Sequence, residues 1–262
     1  MSGAIGVATP LRPGLMLATV ARMLERAFSF RSAKAVALVI NSPGGSPAQS
    51  HLIFRRIRQL AEEKKIPVIV FIEDVGASGG YMLACAGDEI VCDPYSIVGS
   101  IGVVGGTFGF VDLMHKLGIE RRVYTAGERK VMLDPFQPEK PEDVERIKAV
   151  QKDIHAHFIA LVKERRGAKL TGSDEMLFSG EFWVADAAIG LGLADRIGDL
   201  RSTLRERYGD KVRMPLIEAE RGFFGRMRQG IGFGRLLADR PGLADDVVSA
   251  LETRALWGRY GL

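Results

Sequence analysis

Apolar residues follow two rhythms along this chain, and the rhythms alternate. Between Gly14 and Phe28 they fall at helical spacing (Leu15, Leu17, Val20, Met23, Leu24, Phe28), with Pro13 at the entrance. Ala35 to Ile40 is continuously apolar and ends in Asn41-Ser42-Pro43-Gly44-Gly45, which predicts a buried strand and a turn. Ser46-Pro47 then opens a helix to about Lys65, with serine as cap and proline in the first turn. Val68 to Ile72 predicts the next strand, and Tyr81 to Ala86 a short apolar helix. Glu89 to Cys92, Ser100 to Val104 and Arg121 to Thr125 read as further strands, and Phe110 to Leu117 as a helix. After the proline-rich loop Pro135 to Pro141 comes a long helix to Arg166. Its Val144, Ile147, Val150, Ile154, Phe158, Leu161 and Val162 step by three and four. Phe178 to Asp199 resumes the compact pattern. Strands alternating with helices predict an α/β fold with a largely buried sheet.

The text changes near residue 200. Residues 1–200 read as the α/β domain and residues 201–262 as a C-terminal extension. The extension holds 12 Lys/Arg against 8 Asp/Glu, so it carries the whole net charge of +4. Arg221 to Arg240 within it is rich in Gly, Phe and Arg. No basic patch is interleaved with stacking aromatics, so no nucleic-acid partner is expected. A solvated tail, or one in contact with another subunit, is the expected reading, with weak contact with an anionic membrane surface as the alternative. No run approaches the ~18 apolar residues of a membrane span, and no secretory signal is visible at the start. The expectation is a cytoplasmic chain, with membrane association as the alternative. Cys85 and Cys92 make neither a disulfide framework nor a zinc site and read as buried reduced thiols.

One segment stands out chemically. Asp74-Val75-Gly76-Ala77-Ser78-Gly79-Gly80-Tyr81 places a serine among small residues between a predicted strand and a predicted helix. A serine there is exposed at a sheet edge beside the free N–H groups of a helix start, as a nucleophile requires. Such a hydroxyl needs a base. The four histidines (His51, His115, His155, His157) lie in ordinary helical patterns. A lysine made neutral by burial is the other option, and composition alone does not select one. Read singly, Ser78 is equally a helix cap, Gly44 and Gly45 a plain turn, and Lys130 a solvated lysine.

Four motifs in order choose among these readings. They are Asn41-Ser42-Pro43-Gly44-Gly45-Ser46, Ala77-Ser78-Gly79-Gly80-Tyr81, Ser96-Ile97-Val98-Gly99-Ser100-Ile101-Gly102-Val103 and Gly127-Glu128-Arg129-Lys130. Together, from about Ile40 to Gly198, they resemble the signal peptide peptidase A family of Ser–Lys serine peptidases. The resemblance implies a Clp protease/crotonase-like fold of repeated β-β-α units. It implies Ser78 as nucleophile, Lys130 as general base and Ser100 as the hydroxyl that orients the lysine. The N–H groups of Gly45 and Gly79 would form the oxyanion hole, with Gly44 and Gly80 close to substrate. No metal or cofactor is implied. Substrates would be short or unfolded peptides, including signal-peptide remnants. The particle would be a homo-oligomeric ring or dome whose adjacent subunits share each site. A crotonase-type acyl-CoA enzyme, with Glu73 and Asp74 as the nearest acids, and a non-catalytic scaffold of the same fold are the rival expectations.

Overall fold

One long central strand organises the molecule. The computed structural model describes residues 1–6, 14–127, 129–218, 251 and 254–261. Helix α1 (Leu17–Ala27) precedes β1 (Val36–Ser42), α2 (Pro47–Lys64), β2 (Val68–Ala77) and α3 (Gly79–Ala84). Then come β3 (Glu89–Cys92), β4 (Ile97–Gly99), α4 (Val111–Leu117) and α5 (Pro141–Arg166). The remaining elements are α6 (Asp174–Leu177), β5 (Phe182–Val184), α7 (Ala185–Gly190), β6 (Arg196–Ile197) and α8 (Leu200–Tyr208). The six strands form one mixed sheet with helices against it. This is an α/β fold, consistent with the Clp/crotonase-like class. A regular β-β-α repeat does not stand out in the element order.

Strand β2 changes neighbours halfway along. Its first half lies between two parallel partners: Val68 to Ile72 face Val36 to Ile40 of β1, and Ile69 to Ile72 face Glu89 to Cys92 of β3. The register with β1 then slips, because Ile40 faces Ile72 but Ser42 faces Gly76. The excess residues form a bulge around Glu73 and Asp74, which bends the strand. Asn41 fastens the bulge by donating from Nδ2 to Asp74 and accepting from the Val75 N–H at 3.3 Å. Past it, Val75 to Ala77 pair with Ile97 to Gly99 of β4, and β2 stops at Ser78. Strand β5 runs antiparallel to β4, and β6 parallel to β3.

The alternation of β2 side chains divides the interior. Val68, Val70 and Ile72 face the larger core, with Ile53 and Ile57 of α2, Tyr81 and Leu83 of α3, and Phe158 and Leu161 of α5. Ile69 and Phe71 point the other way and meet Val91 and Leu204. Helix α8 thus covers the second face of the sheet, although it begins at the predicted boundary between domain and extension. The basic run Arg221–Arg240 lies outside the described residues. Helix α3 is buried from end to end. Its Tyr81 hydroxyl donates to the Leu193 carbonyl at 2.9 Å, and burial raises the phenol well above its ordinary pKa. The chain leaving α3 is held by cations, with Arg165 Nε on the Cys85 carbonyl at 2.9 Å and Arg58 Nη1 on the Ala86 carbonyl at 3.1 Å. Burial pushes the Cys85 and Cys92 thiols up to about 12.

Most expected elements form. Ser46 caps α2 through a bond from the Gln49 N–H at 3.4 Å, with Pro47 in the first turn. Two expected strands differ. The strand expected at Ser100 to Val104 lies instead at Ile97–Gly99, because Ser100 takes a left-handed φ of 52° and leaves the ladder. Residues 121–125 are exposed and have no ladder partner among the described residues. Without a neighbouring strand, β-rich text stays irregular.

The back of the core rests on an ion pair. Arg166, 3% exposed, meets both oxygens of Asp195, at 2.8 and 3.0 Å. Asp195 also accepts from Lys169 Nζ at 2.6 Å and from the Ile90 N–H at 2.7 Å. Burial pushes the Asp195 carboxyl up, but the hydrogen bonds from Arg166, Lys169 and Ile90 outweigh it and hold the group below the ordinary carboxylate range. A lowered folded pKa means this contribution is complete above the unfolded value, near ~3.9, and is lost as pH falls through the folded one. Asp195→Asn leaves Arg166 buried without its counter-charge, which costs about 3–5 kcal/mol. Urea unfolding at pH 7 should read that loss, and the gap between variant and parent should shrink at pH 3.

Candidate active site

Ser78 holds a conformation that few non-glycine residues adopt, φ 53° and ψ −122°. It occupies the N-cap position of α3, yet its side chain accepts no capping bond. The ordinary use of a serine there is therefore unfilled. Two backbone bonds clamp the turn: Ser78 N–H to the Gly99 carbonyl at 2.8 Å, and Met82 N–H to the Ser78 carbonyl at 3.0 Å. Strain of this kind costs about 1–3 kcal/mol and persists where the surroundings over-determine it. The β2–β4 ladder on one side and buried α3 on the other do so here. The half-buried Ser78 borders a cleft of about 480 Å³.

The turn after β1 lies directly against Ser78. A Cβ added to Gly44 would stand 2.7 Å from the Gly79 nitrogen and 2.8 Å from Ser78 Cβ. Only glycine allows that approach, and Gly44 also has φ 97°. Gly45 bridges in parallel to Ile5: Ile5 N–H donates to the Gly44 carbonyl and Ser46 N–H to the Ile5 carbonyl, both at 2.8 Å. In that pattern the N–H of Gly45 itself points away from Ile5. A Cβ on Gly79 would lie 3.4 Å from the Gly45 nitrogen, so the two amides are neighbours. Gly79 opens α3, where an N–H has no intrahelical acceptor. Neither amide donates to another described residue. Gly80 is buried, with its Cα face against the Ser42 carbonyl, 2.3 Å from an added Cβ.

Ser100 shares the cleft with Ser78. Its N–H donates to the Glu181 carbonyl at 2.7 Å, and His155 Nε2 bonds the next carbonyl, that of Ile101, at 3.0 Å. Val103, Val104 and Phe182 supply apolar lining. Lys130 lies elsewhere, exposed in the turn of residues 129–133 and not part of this lining. The chain thus brings Ser78, Ser100, Gly44, Gly45 and Gly79 together and leaves Lys130 apart. No histidine is among the lining residues, and His51 stacks on Phe54 at 6.3 Å. Glu73 and Asp74 are exposed on the bulge and do not line the cleft either.

Several lining residues have no site role in the sequence reading, among them Ser179, Gly180, Phe182, Arg259 and Tyr260. Tyr260 is buried on Val75 and Ala77 and meets the Phe182 ring edge-on at 5.1 Å. Aromatic residues among Gly and Arg in the last stretch of chain were the one signal of a docked segment.

Comparison with known proteins bears on this geometry. The model of Peptidase family S49 matches residues 60–211, a span that contains Ser78, Ser100 and Lys130. The chain is 57% identical over 258 residues, 97% of its length, to a protein of Brucella abortus named "Na(+)/H(+) antiporter NhaA". It covers 35% of that protein. The transport name belongs to that whole protein, and among the described residues here no helix is long and apolar enough to cross a membrane. The chain is also 33% identical to "Serine protease SPPA, chloroplastic" of Arabidopsis thaliana, over 68% of its own length and 27% of the relative. It is 34% identical to "Probable protease SohB" of Buchnera aphidicola, over 66% of its length and 51% of that protein. The chain therefore spans about a third of the first relative, a quarter of the second and half of the third. With more than half of its residues matched by the family model, the chain belongs to peptidase family S49.

Proposed function

We propose that this chain is a serine endopeptidase working through a Ser–Lys dyad, with Ser78 as nucleophile and Lys130 as general base. One observation carries the reading: a strained serine with no capping bond borders a cleft, and beside that serine two neighbouring glycine amides have no acceptor among the described residues. A tetrahedral intermediate needs fixed donors where its negative charge develops, and the Gly45 and Gly79 N–H groups suit that task. Lys130 takes the Ser78 proton as Oγ attacks a peptide carbonyl. The lysine then gives that proton to the leaving amine. Water, deprotonated by the same amine, hydrolyses the acyl-enzyme and restores Ser78. Ser100 fixes the lysine by a hydrogen bond. Short or unfolded peptides with small or apolar side chains, signal-peptide remnants among them, are the substrates this reading favours.

Lys130 reaches Ser78 of an adjacent subunit in a homo-oligomer. The segment that carries Lys130 supports this, since it exposes Val104, Phe108, Leu113, Leu117, Ile119 and Tyr124. So much exposed apolar surface on one segment marks a contact region. A second copy is its occupant, because only another Ser78 cleft gives Lys130 a task.

Two outcomes are expected. Ser78→Ala and Lys130→Ala proteins, each inactive alone, should recover peptide hydrolysis when mixed and reassembled. No recovery in particles shown by native mass spectrometry to be mixed would place both groups within one chain. Gly79→Ala sets a methyl 2.4 Å from Ser50 Oγ and beside the Gly45 nitrogen. Fluorophosphonate labelling of Ser78 should then slow about 100-fold or more, as read by adduct mass spectrometry. Labelling at the parental rate would remove the two amides from the mechanism.

A further inference from the structure

Among the described residues, the lining of the cleft beside Ser78 carries a single formal charge. It comprises serines, glycines, valines, Phe182, Tyr260 and one cation, Arg259, with no acid among them. Arg259 is exposed and forms no ion pair with a described residue. The nearest acid in the text, Glu181, uses its backbone carbonyl to accept from Ser100 and does not line the cleft. Arg259 is nevertheless held in place. Its neighbour Tyr260 is 9% exposed and packs on Val75 and Ala77, the strand end that carries Ser78. Trp257 packs against the same cluster, and Phe182 closes on the Tyr260 ring. The segment is thus fixed by its apolar side chains, while Arg259 lines the cleft with no ion-pair partner among the described residues.

A guanidinium meets planar or tetrahedral oxyanions with paired charge-assisted hydrogen bonds, and in a peptide the group of that kind is the carboxylate. We propose that Arg259 is a substrate-binding residue that receives a peptide carboxylate close to the bond Ser78 attacks, so that the site prefers peptides bearing a negative charge there. The charge comes either from a free C-terminus or from an acidic side chain. This rests on Ser78 as the reacting serine and adds a substrate class to that reading. A free C-terminus suits a peptidase of short fragments, since each cut generates a new carboxylate.

The test separates binding from chemistry. Full-length Ser78→Ala protein is titrated with fluorescein-labelled apolar hexapeptides in three forms: free C-terminal acid, C-terminal amide, and amide with a terminal Glu. Fluorescence anisotropy should show one or both carboxylate forms binding about tenfold tighter than the plain amide, with the advantage fading as salt rises. Which form gains identifies the source of the charge. Adding Arg259→Gln should abolish the advantage, and Arg259→Lys should keep part of it. Equal binding of all three peptides, an advantage that survives Arg259→Gln, or no binding at all overturns the proposal. Hydrolysis by protein with Ser78 intact is measured in parallel. If hydrolysis is absent while the Arg259-dependent advantage remains, the carboxylate site stands and the peptidase reading falls. If Arg259→Gln speeds hydrolysis of acid and amide alike, the segment is a plug and not a subsite, and the proposal fails.

Discussion

The backbone of Gly44 lies so close to the amide of Gly79 that no side chain fits between them. Much of the site follows from that contact. It sets the end of β1 against the end of β2, although the two turns come from separate crossovers. The same contact puts the amides of residues 45 and 79 side by side. Any larger residue at position 44 would push the first turn outward and separate them. The bulge at Glu73 and Asp74 serves the same end. By letting β2 leave β3 for β4, it carries Ser78 past the edge of the lower ladder while Ser42 still pairs with Gly76.

A strained turn needs a stiff mounting. The mounting here is α3, whose residues are all buried and whose Tyr81 is hydrogen-bonded to the far side of the core. Arg165 and Arg58 hold the chain that leaves the helix, and Arg166 with Asp195 braces the layer behind it. Energy released by packing α3 into the core thus offsets the unfavourable φ of Ser78. On the cleft side the holding is lighter. There the Ser100 segment depends on the Glu181 carbonyl and His155, and the aromatic wall depends on Tyr260.

The parts of this arrangement that come from short-range pattern could be read in the sequence. Continuous apolar runs located β1, β2 and β3. The helical step of Val144 to Val162 located α5, and the serine and proline before α2 marked its start. The four glycine and serine motifs contain Ser78, Ser100 and Gly45, which the fold brings together. The parts that come from long-range contact could not be read. Arg121 to Thr125 has the composition of a strand but no neighbour among the described residues to complete one. Ser100 turns out of its strand with a left-handed φ while its N–H still holds the Glu181 carbonyl, a contact across 81 positions that no local rule anticipates. Tyr260 docks on Val75 from the other end of the chain, and helix α8 packs on a sheet face that the text before residue 200 had already built.

The two cysteines bear on where such a molecule can work. Each is buried with a thiol pushed up to about 12, and the two remain unpaired. At that value almost no thiolate exists near neutral pH, so neither sulfur exchanges readily with glutathione or responds to peroxide. The described fold thus holds no covalent cross-link between these two sulfurs, and thiol-directed reagents meet both only behind the packed core.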